Sequence, residues 1–444
     1  MKTQMISKIL LTLTLPWRVF QNLAKSVTSQ KRLALGISLA VFALPTSLMA
    51  QAGTLDPKFG KGGIVFTTNT VANAGALQGD GKILVAGSIS TVQNSEQPGL
   101  LRYNSDGTLD SGFGAGGKVL IGGNNAGPAF AVAVQTDGKI LAAAPANLVL
   151  TVFRFNSNGS VDSTFGSNGA TAIQAAGLFL APASGGIALE PDGRILVATA
   201  HNDGGSARFV ARVLANGQLD STFGSNGVAP TFGGDSVAVV PNGNILVGTG
   251  SVTSMYAPNG VVVKDFGIHG QTPGFANEGF GNDAGGFVVT KISVTGTGTK
   301  IITAGSIFTD LNLMSLNSVS GFLLVSYNID GTLDNAFGIH GGVTTPFPGH
   351  ILARAFAVAL QTNGDIVAVG QTALTDTGPS SFALVRYNPD GSVDTTFGNS
   401  GFVSTPFGRS VAFANTVLIQ IDGKIIAVGN SNSGTTTLAR YLGS

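Results

Sequence analysis

Three phrases recur through this chain in fixed order, and their recurrence limits the fold more than any other feature. The first, Asp/Asn-Gly-Lys-Ile-Leu-Val-Ala-Gly, has turn glycines at Gly81, Gly138, Gly193, Gly243, Gly364 and Gly423, with Thr299 filling the remaining place. Gly81 to Gly423 spans six intervals, a mean period of about 57 residues. The second, Phe-Gly-x-x-Gly, starts at Phe59, Phe113, Phe165, Phe223, Phe266, Phe337 and Phe397. Six of these have an Asp three residues earlier: Asp56, Asp110, Asp162, Asp220, Asp334 and Asp394. The third is aromatic-Asn-x-Asp/Asn-Gly, as in Tyr103–Gly107 and Tyr387–Gly391. A repeat of this length is one supersecondary unit that buries its faces only against its neighbours.

Each unit reads as four strands. Strand A is Ala-Val-Ala-Leu-Gln, and an Asp-Gly hairpin turn follows it. Strand B is Lys-Ile-Leu-Val-Ala-Gly, a continuous apolar run that both faces must bury. Strand C is Phe-Ala-Leu-Val-Arg-Tyr-Asn, and a second Asp-Gly turn leads to strand D around Leu-Asp-x-x-Phe-Gly-x-x-Gly-x-Val. Four short antiparallel strands buried on both sides describe a propeller blade. The chain opens with a D segment, Gly53 to about Thr68, that has no A, B or C before it. It ends with A, B and C, about Val411 to Leu442, that have no D after them. The expected fold is therefore all-β: a seven-bladed β-propeller over 53–444, with its first segment completing the last blade.

The phrases resemble the delta-60 repeat, a β-propeller repeat of exported bacterial proteins. The resemblance covers all of 53–444. It implies fold and export and no catalytic residues. Two units depart from it: the fourth is short (Tyr256 to Phe266), and the fifth places 71 residues between Phe266 and Phe337.

Residues 1–52 read as an export signal. They hold six cations (Lys2, Lys8, Arg18, Lys25, Lys31 and Arg32) and no acid. The run Leu33 to Leu44 has the length of a signal core and is too short to span a bilayer. Cleavage after Ala52, at Ala50-Gln51-Ala52, would leave Gly53; cleavage after Ala50 is the alternative. A leader of this length also admits an uncleaved anchor or a start site placed too far upstream. With the leader gone no membrane span is expected. The six leader cations removed from 24 leave 18 against 23 acids, a net charge of about −5.

Composition narrows the function. Charged residues are 11% and Cys is absent, so the chain lacks the dense cationic face of a nucleic-acid binder and any thiol chemistry. Residues in the same slot of most blades have a structural explanation. All five Tyr (Tyr103, Tyr256, Tyr327, Tyr387 and Tyr441) end a C strand, and Phe59 with its six counterparts should wedge between blades. Arg102, Arg154, Arg212, Arg386 and Arg440 precede that terminal position and should pair with the repeated Asp. Asn104-Ser105-Asp106-Gly107 with Asp110 is spaced somewhat like a calcium loop, but Asp-Gly turns explain the same residues. His269 and His340 sit in two copies of Phe-Gly-Ile-His-Gly; His201 and His350 stand alone.

The A–B and C–D turns share one face and hardly vary. The B–C loops (88–99, 200–207, 306–320, 371–381) and D–A loops (173–186, 271–286, 344–354) share the other and differ. Variable loops on a rigid scaffold are where binding sits. They carry Glu96, Asp203, Asp235, Glu278, Asp283, Asp310 and Asp376, which predicts a mildly acidic face, with Phe275, Phe280 and Phe308 as apolar contacts. The reading is an exported, monomeric, non-catalytic binding or structural scaffold for a protein, peptide or glycan. No catalytic residue, metal or cofactor is assigned. The alternatives are a hydrolase or lyase with an Asp/His site at the channel mouth, and a calcium-stabilised surface adhesin.

Overall fold

The B strands settle the architecture. Ile83–Ser90 and Ile425–Ser431 are buried along nearly their whole length, which requires a packed neighbour on each face. The computed structural model describes residues 51–91, 96–122, 127–174, 184–200, 208–231, 234–249, 252–269, 271–272, 291–294, 300–308, 320–375 and 378–443. Every regular element among them is a strand, and the strands form seven antiparallel sheets.

Six of the sheets follow the A-B-C-D order, and the seventh shows A, B and C. Blade 1 is Thr70–Leu77, Ile83–Ser90, Glu96–Tyr103 and Lys118–Leu120. Blades 2 and 3 start at Ala131–Val134 and Ser184–Leu189 and end at Ala170–Ile173 and Val228–Pro230. Blade 4 has three strands, Ser236–Val239, Ile245–Thr249 and Val252–Tyr256, with a bridge from Ser254 to Gln271 where the outer strand belongs. Blade 5 runs from Lys291–Val294 to Gly342–Pro346, and blade 6 from Leu352–Leu360 to Phe402–Pro406. The fold is a seven-bladed β-propeller.

Blade 7 closes the ring. Its A, B and C strands are Ala412–Ile419, Ile425–Ser431 and Thr435–Tyr441, and its D strand is Ile64–Thr68 from the start of the chain. The register runs from Ile64 opposite Ala439 to Thr68 opposite Thr435. The A strands follow one another round the centre, with the first beside the seventh.

The hydrophobic core is divided into seven clusters among the described residues, each lying between two adjacent blades. Burial of apolar area supplies most of the stabilisation, so blade-to-blade contact holds the molecule together. The wedge phenylalanines, Phe59 through Phe397, are buried in these seams. Tyr103 bonds Thr67 and Tyr441 bonds Thr405, both at 2.7 Å and both across to the preceding blade. Blades 2 and 3 carry Phe155 and Val213 in the Tyr slot; they pack with Ile121 and Ile173, so hydroxyls are absent from both sides together.

Strand A is bulged in blades 1, 6 and 7, between Ala72 and Ala74, between Ala355 and Ala357, and between Ala414 and Thr416. Opposite each bulge stands a B-strand glycine: Gly87, Gly370 or Gly429. A Cβ on Gly87 would lie 1.7 Å from the Val71 carbonyl oxygen, and one on Gly370 1.8 Å from that of Arg354. The bulge residues fasten the inner ring. Asn73 donates to the Ala129 carbonyl of blade 2 at 3.1 Å, and Asn415 to the Ala72 carbonyl of blade 1 at 2.8 Å.

Candidate functional site

The repeated charges form a clamp. In five blades the Arg Nε donates to the repeated Asp of its own blade: Arg102–Asp110 2.8 Å, Arg154–Asp162 2.7 Å, Arg212–Asp220 2.8 Å, Arg386–Asp394 2.7 Å and Arg440–Asp56 3.0 Å. The same guanidinium lies over the wedge phenylalanine, 4.4–4.6 Å from its centroid. It also reaches into the next blade, where Arg102 donates to the Ser157 carbonyl and Arg440 to that of Ser105. Burial pushes the Asp110 carboxyl up, but hydrogen bonds from Lys82 and the Gly112 amide, with Arg102, outweigh it and hold it below the usual range. Asp162, Asp220 and Asp394 are lowered by the same balance, with the neighbouring Thr hydroxyl as the leading opposing bond. These acids are bound ionised in ion pairs, an arrangement suited to geometry and not to proton transfer.

Blade 5 has Ser326 in the Arg slot. Lys300, the counterpart of Lys82 and Lys139, which make the same contact in blades 1 and 2, lies 2.8 Å from Asp334, while Ser326 donates to the same carboxylate at 3.0 Å. Blade 4 replaces both partners: Met255 and Val263 stand where Arg and Asp belong, packed in the seam with blade 5. Glu190 replaces the repeated Gln and is buried. Burial raises its pKa, with Arg194 and Arg212 only partly opposing.

The turn oxygens are committed to their own backbone. Asp106 Oδ1 accepts from the Thr108 amide at 2.9 Å and from its hydroxyl at 2.7 Å, and Asp110 Oδ1 accepts from the Gly112 amide at 3.0 Å. That explains the calcium-like spacing without a cation. The slot of His269 and His340 is left-handed: φ is +55° and +51° there, +51° at Asn168, +52° at Asn226 and +62° at Gly62 and Gly116. Among non-glycine residues, Asn and His tolerate this region best. The two His are exposed occupants of a conformational position. His350 instead packs edge-on against Phe347, with its Nδ1 3.0 Å from the Pro348 carbonyl.

The face of the variable loops is described in part. Asp203, Glu278, Asp283, Asp310, Asp376, His201, Phe275, Phe280 and the side chain of Phe308 lie outside the described residues, and with them most of the Asp/His site considered for the channel mouth. The loop expected at 306–320 begins only after Phe308, because Lys300–Phe308 pairs with Ser320–Asn328 along its whole length. Glu96 starts a C strand opposite Ser90. Asp235 accepts from Ser184 of blade 3 at 2.8 Å. Beside these two acids the described part carries Arg208, Arg354 and Arg409. Sequence reasoning also missed Thr-Pro-Phe, whose Thr-Pro ends the outer strands of blades 5 and 6 and whose Phe follows them. Phe347 packs on Phe402 at 5.1 Å and Phe407 on Phe382 at 4.8 Å, covering the seams.

At the channel end on the short-turn face lies a cavity of ≈ 920 Å³. Leu77, Val294, Leu360 and Ile419 line it with Gln361 and Asn363, giving aliphatic and amide walls. The aliphatic position recurs in all seven blades, as Leu77, Val134, Leu189, Val239, Val294, Leu360 and Ile419, and each packs on one seam core. The ring therefore caps the seams.

Segments 78–113, 135–165, 190–223 and 361–397 match the family described as "Domain of unknown function (DUF5122) beta-propeller". These four segments carry the repeat of that β-propeller family. As a propeller it is similar in fold to virginiamycin B lyase from Staphylococcus aureus, with 10% identity and a TM-score of 0.47 over 85% of this chain and 99% of the lyase. It is also similar to YCF48 bound to D1 peptide, with 9% identity and a TM-score of 0.48 over 90% and 100%. Drosophila Plexin A in complex with Semaphorin 1b shows 11% identity and a TM-score of 0.42 over 88% of each chain. No curated protein matches this propeller in sequence. At such identities the likeness concerns the fold.

Proposed function

We propose that this propeller is an exported, non-catalytic scaffold of the delta-60 kind, which binds a protein, peptide or glycan through its B–C and D–A loops. The observation that carries the reading is the division of labour between the two faces. On the short-turn face, turn carboxylates and amides are tied to their own backbone, and the repeated Asp and Arg lie in the clamps. The other face joins the same strands with connections of unequal length and composition, which lie outside those clamps. Rigid strands beneath changeable loops are the usual arrangement of a recognition surface. The cationic, acid-free start with its apolar run supports export.

The test is capture from cell-envelope extracts, followed by comparison of two variants. Replacement of 309–319, between the paired strands of blade 5, by a two-residue Asn-Gly turn should abolish capture. Lys61→Glu, an exposed change on the short-turn side, should leave it intact. Retention of every partner after the loop is removed would show that the wrong face had been chosen.

A further inference from the structure

Every blade joins the next through a main-chain hydrogen bond made at the same place. The amide of the Phe-Gly glycine donates to the third residue of the following C–D turn: Gly60 to Asp106, Gly114 to Asn158, Gly166 to Asn216, Gly224 to Asn259, Gly267 to Asp330 and Gly338 to Asp390, all at 2.7–2.9 Å. The seventh bond, Gly398 to Ala52 at 2.8 Å, ends on a residue of the leader segment as read from the sequence.

The seventh turn is assembled from both ends of the chain. Leu442 and Gly443 supply its first half, Ala52 and Gly53 its second. Gly53 donates to the Leu442 carbonyl at 2.7 Å, where Gly107 donates to Asn104 at 2.9 Å in blade 1. Leu442 donates to Thr54 at 2.9 Å, as Asn104 does to Thr108 at 2.8 Å. Gly53 is left-handed at φ +84°, Gly107 at +90°. Ala52 lacks the turn carboxylate, and Gln51 substitutes for it. The Gln51 carbonyl accepts from the Thr54 amide at 3.1 Å and hydroxyl at 2.7 Å, and its side-chain amide donates to the Gly398 carbonyl at 2.7 Å. Ala52 also packs against the core between blades 6 and 7.

We infer that the mature chain begins at Gln51, the leader being removed after Ala50 and not at the small-x-small site after Ala52. The inference rests on the export reading. Cleavage after Ala52 would take away the acceptor of the Gly398 amide, both acceptor contacts of Thr54 and a packed methyl. An amide that loses its partner costs more than an ordinary hydrogen bond contributes. The peptidase meets an unfolded chain, so the constraint acts through the stability of the product.

The experiment expresses the full chain in a bacterial host and measures the intact mass of the exported protein. A mass starting at Gln51, or at its lactam, is the expected result. A start at Gly53, or an exported chain that keeps its leader, overturns the inference and leaves export standing, whereas a chain retained in the cytoplasm overturns the export reading itself. Chains made to begin at Gln51 and at Gly53 are then compared directly. The shorter one should melt lower and exchange the Gly398 amide faster; equal melting and equal exchange would remove the structural ground.

Discussion

Arg154 illustrates what a repeated charge does in this ring. It pairs with Asp162, lies over Phe165 and donates to the Ala215 carbonyl of the next blade. Removing the guanidinium takes three contacts at once but leaves Asp162 paired with Lys139 at 3.0 Å, so Arg154→Ala should destabilise by about 2 kcal/mol. Blade 4 already shows the alternative, Met255 beside Val263. The double change R154M/D162V should therefore recover most of that loss; a denaturant double-mutant cycle reads the coupling, and additive losses would contradict it. Glu190 gives the opposite sign. Its folded-state pKa is raised by burial, so its contribution is fullest below the unfolded value and declines as pH rises. Glu190→Gln, the repeat's own residue, should raise Tm at pH 7 and leave it little changed near pH 4; a lower Tm at pH 7 would refute this. The Arg–Asp pairing was legible in the sequence because identical residues at identical slots need a shared cause. That the repeated Lys joins the same carboxylate was not, since Lys82, Lys139 and Lys300 belong to a different strand.

At the scale of the strand, glycine and bulge form one unit. The extra residue in strand A swings a carbonyl towards strand B, and only a residue without Cβ fits opposite it. Gly370→Ala should destabilise by about 2–3 kcal/mol through overpacking, read by thermal or denaturant unfolding. Ala144, at the corresponding place in unbulged blade 2, should accept Gly without a comparable loss beyond the usual ~1 kcal/mol cost of Gly in a strand. The terminal glycine of Val-Ala-Gly was visible in the repeat, yet its meaning was not, because a bulge is a relation between two strands. The Phe-Gly-x-x-Gly turn was easier to interpret. Its Gly, Asn, His and Ser occupants share tolerance of positive φ and little else.

For the whole ring, acid and base mark the limits of stability. Asp110, Asp162, Asp220, Asp334 and Asp394 are held below the ordinary carboxylate range. Their contribution is complete above the unfolded pKa of about 4 and is lost as pH falls towards the folded values. Burial raises Tyr256 to about 12 and raises Tyr103, Tyr387 and Tyr441 as well. That contribution is complete below about pH 10 and is lost above it. Stability measured by denaturation should thus fall on both sides of a broad plateau from about pH 5 to 9; in the Glu190→Gln background, which removes the one opposing group named above, a decline centred within it would contradict these assignments. Blade count and ring closure were legible because complementary end segments leave few ways to complete seven units. The recognition face was not, because its loops do not repeat and so offer no internal comparison.

The split turn has a mechanical consequence. Gln51 and Gly443 leave the ring side by side, at the same end of an antiparallel pair. A load drawing these two points apart would strain the ladder one rung at a time, beginning at Gly53 and Leu442 and advancing to Ile64 and Ala439. The ring would peel open at low force, whereas the same pair gripped at opposite ends would have to shear as a block.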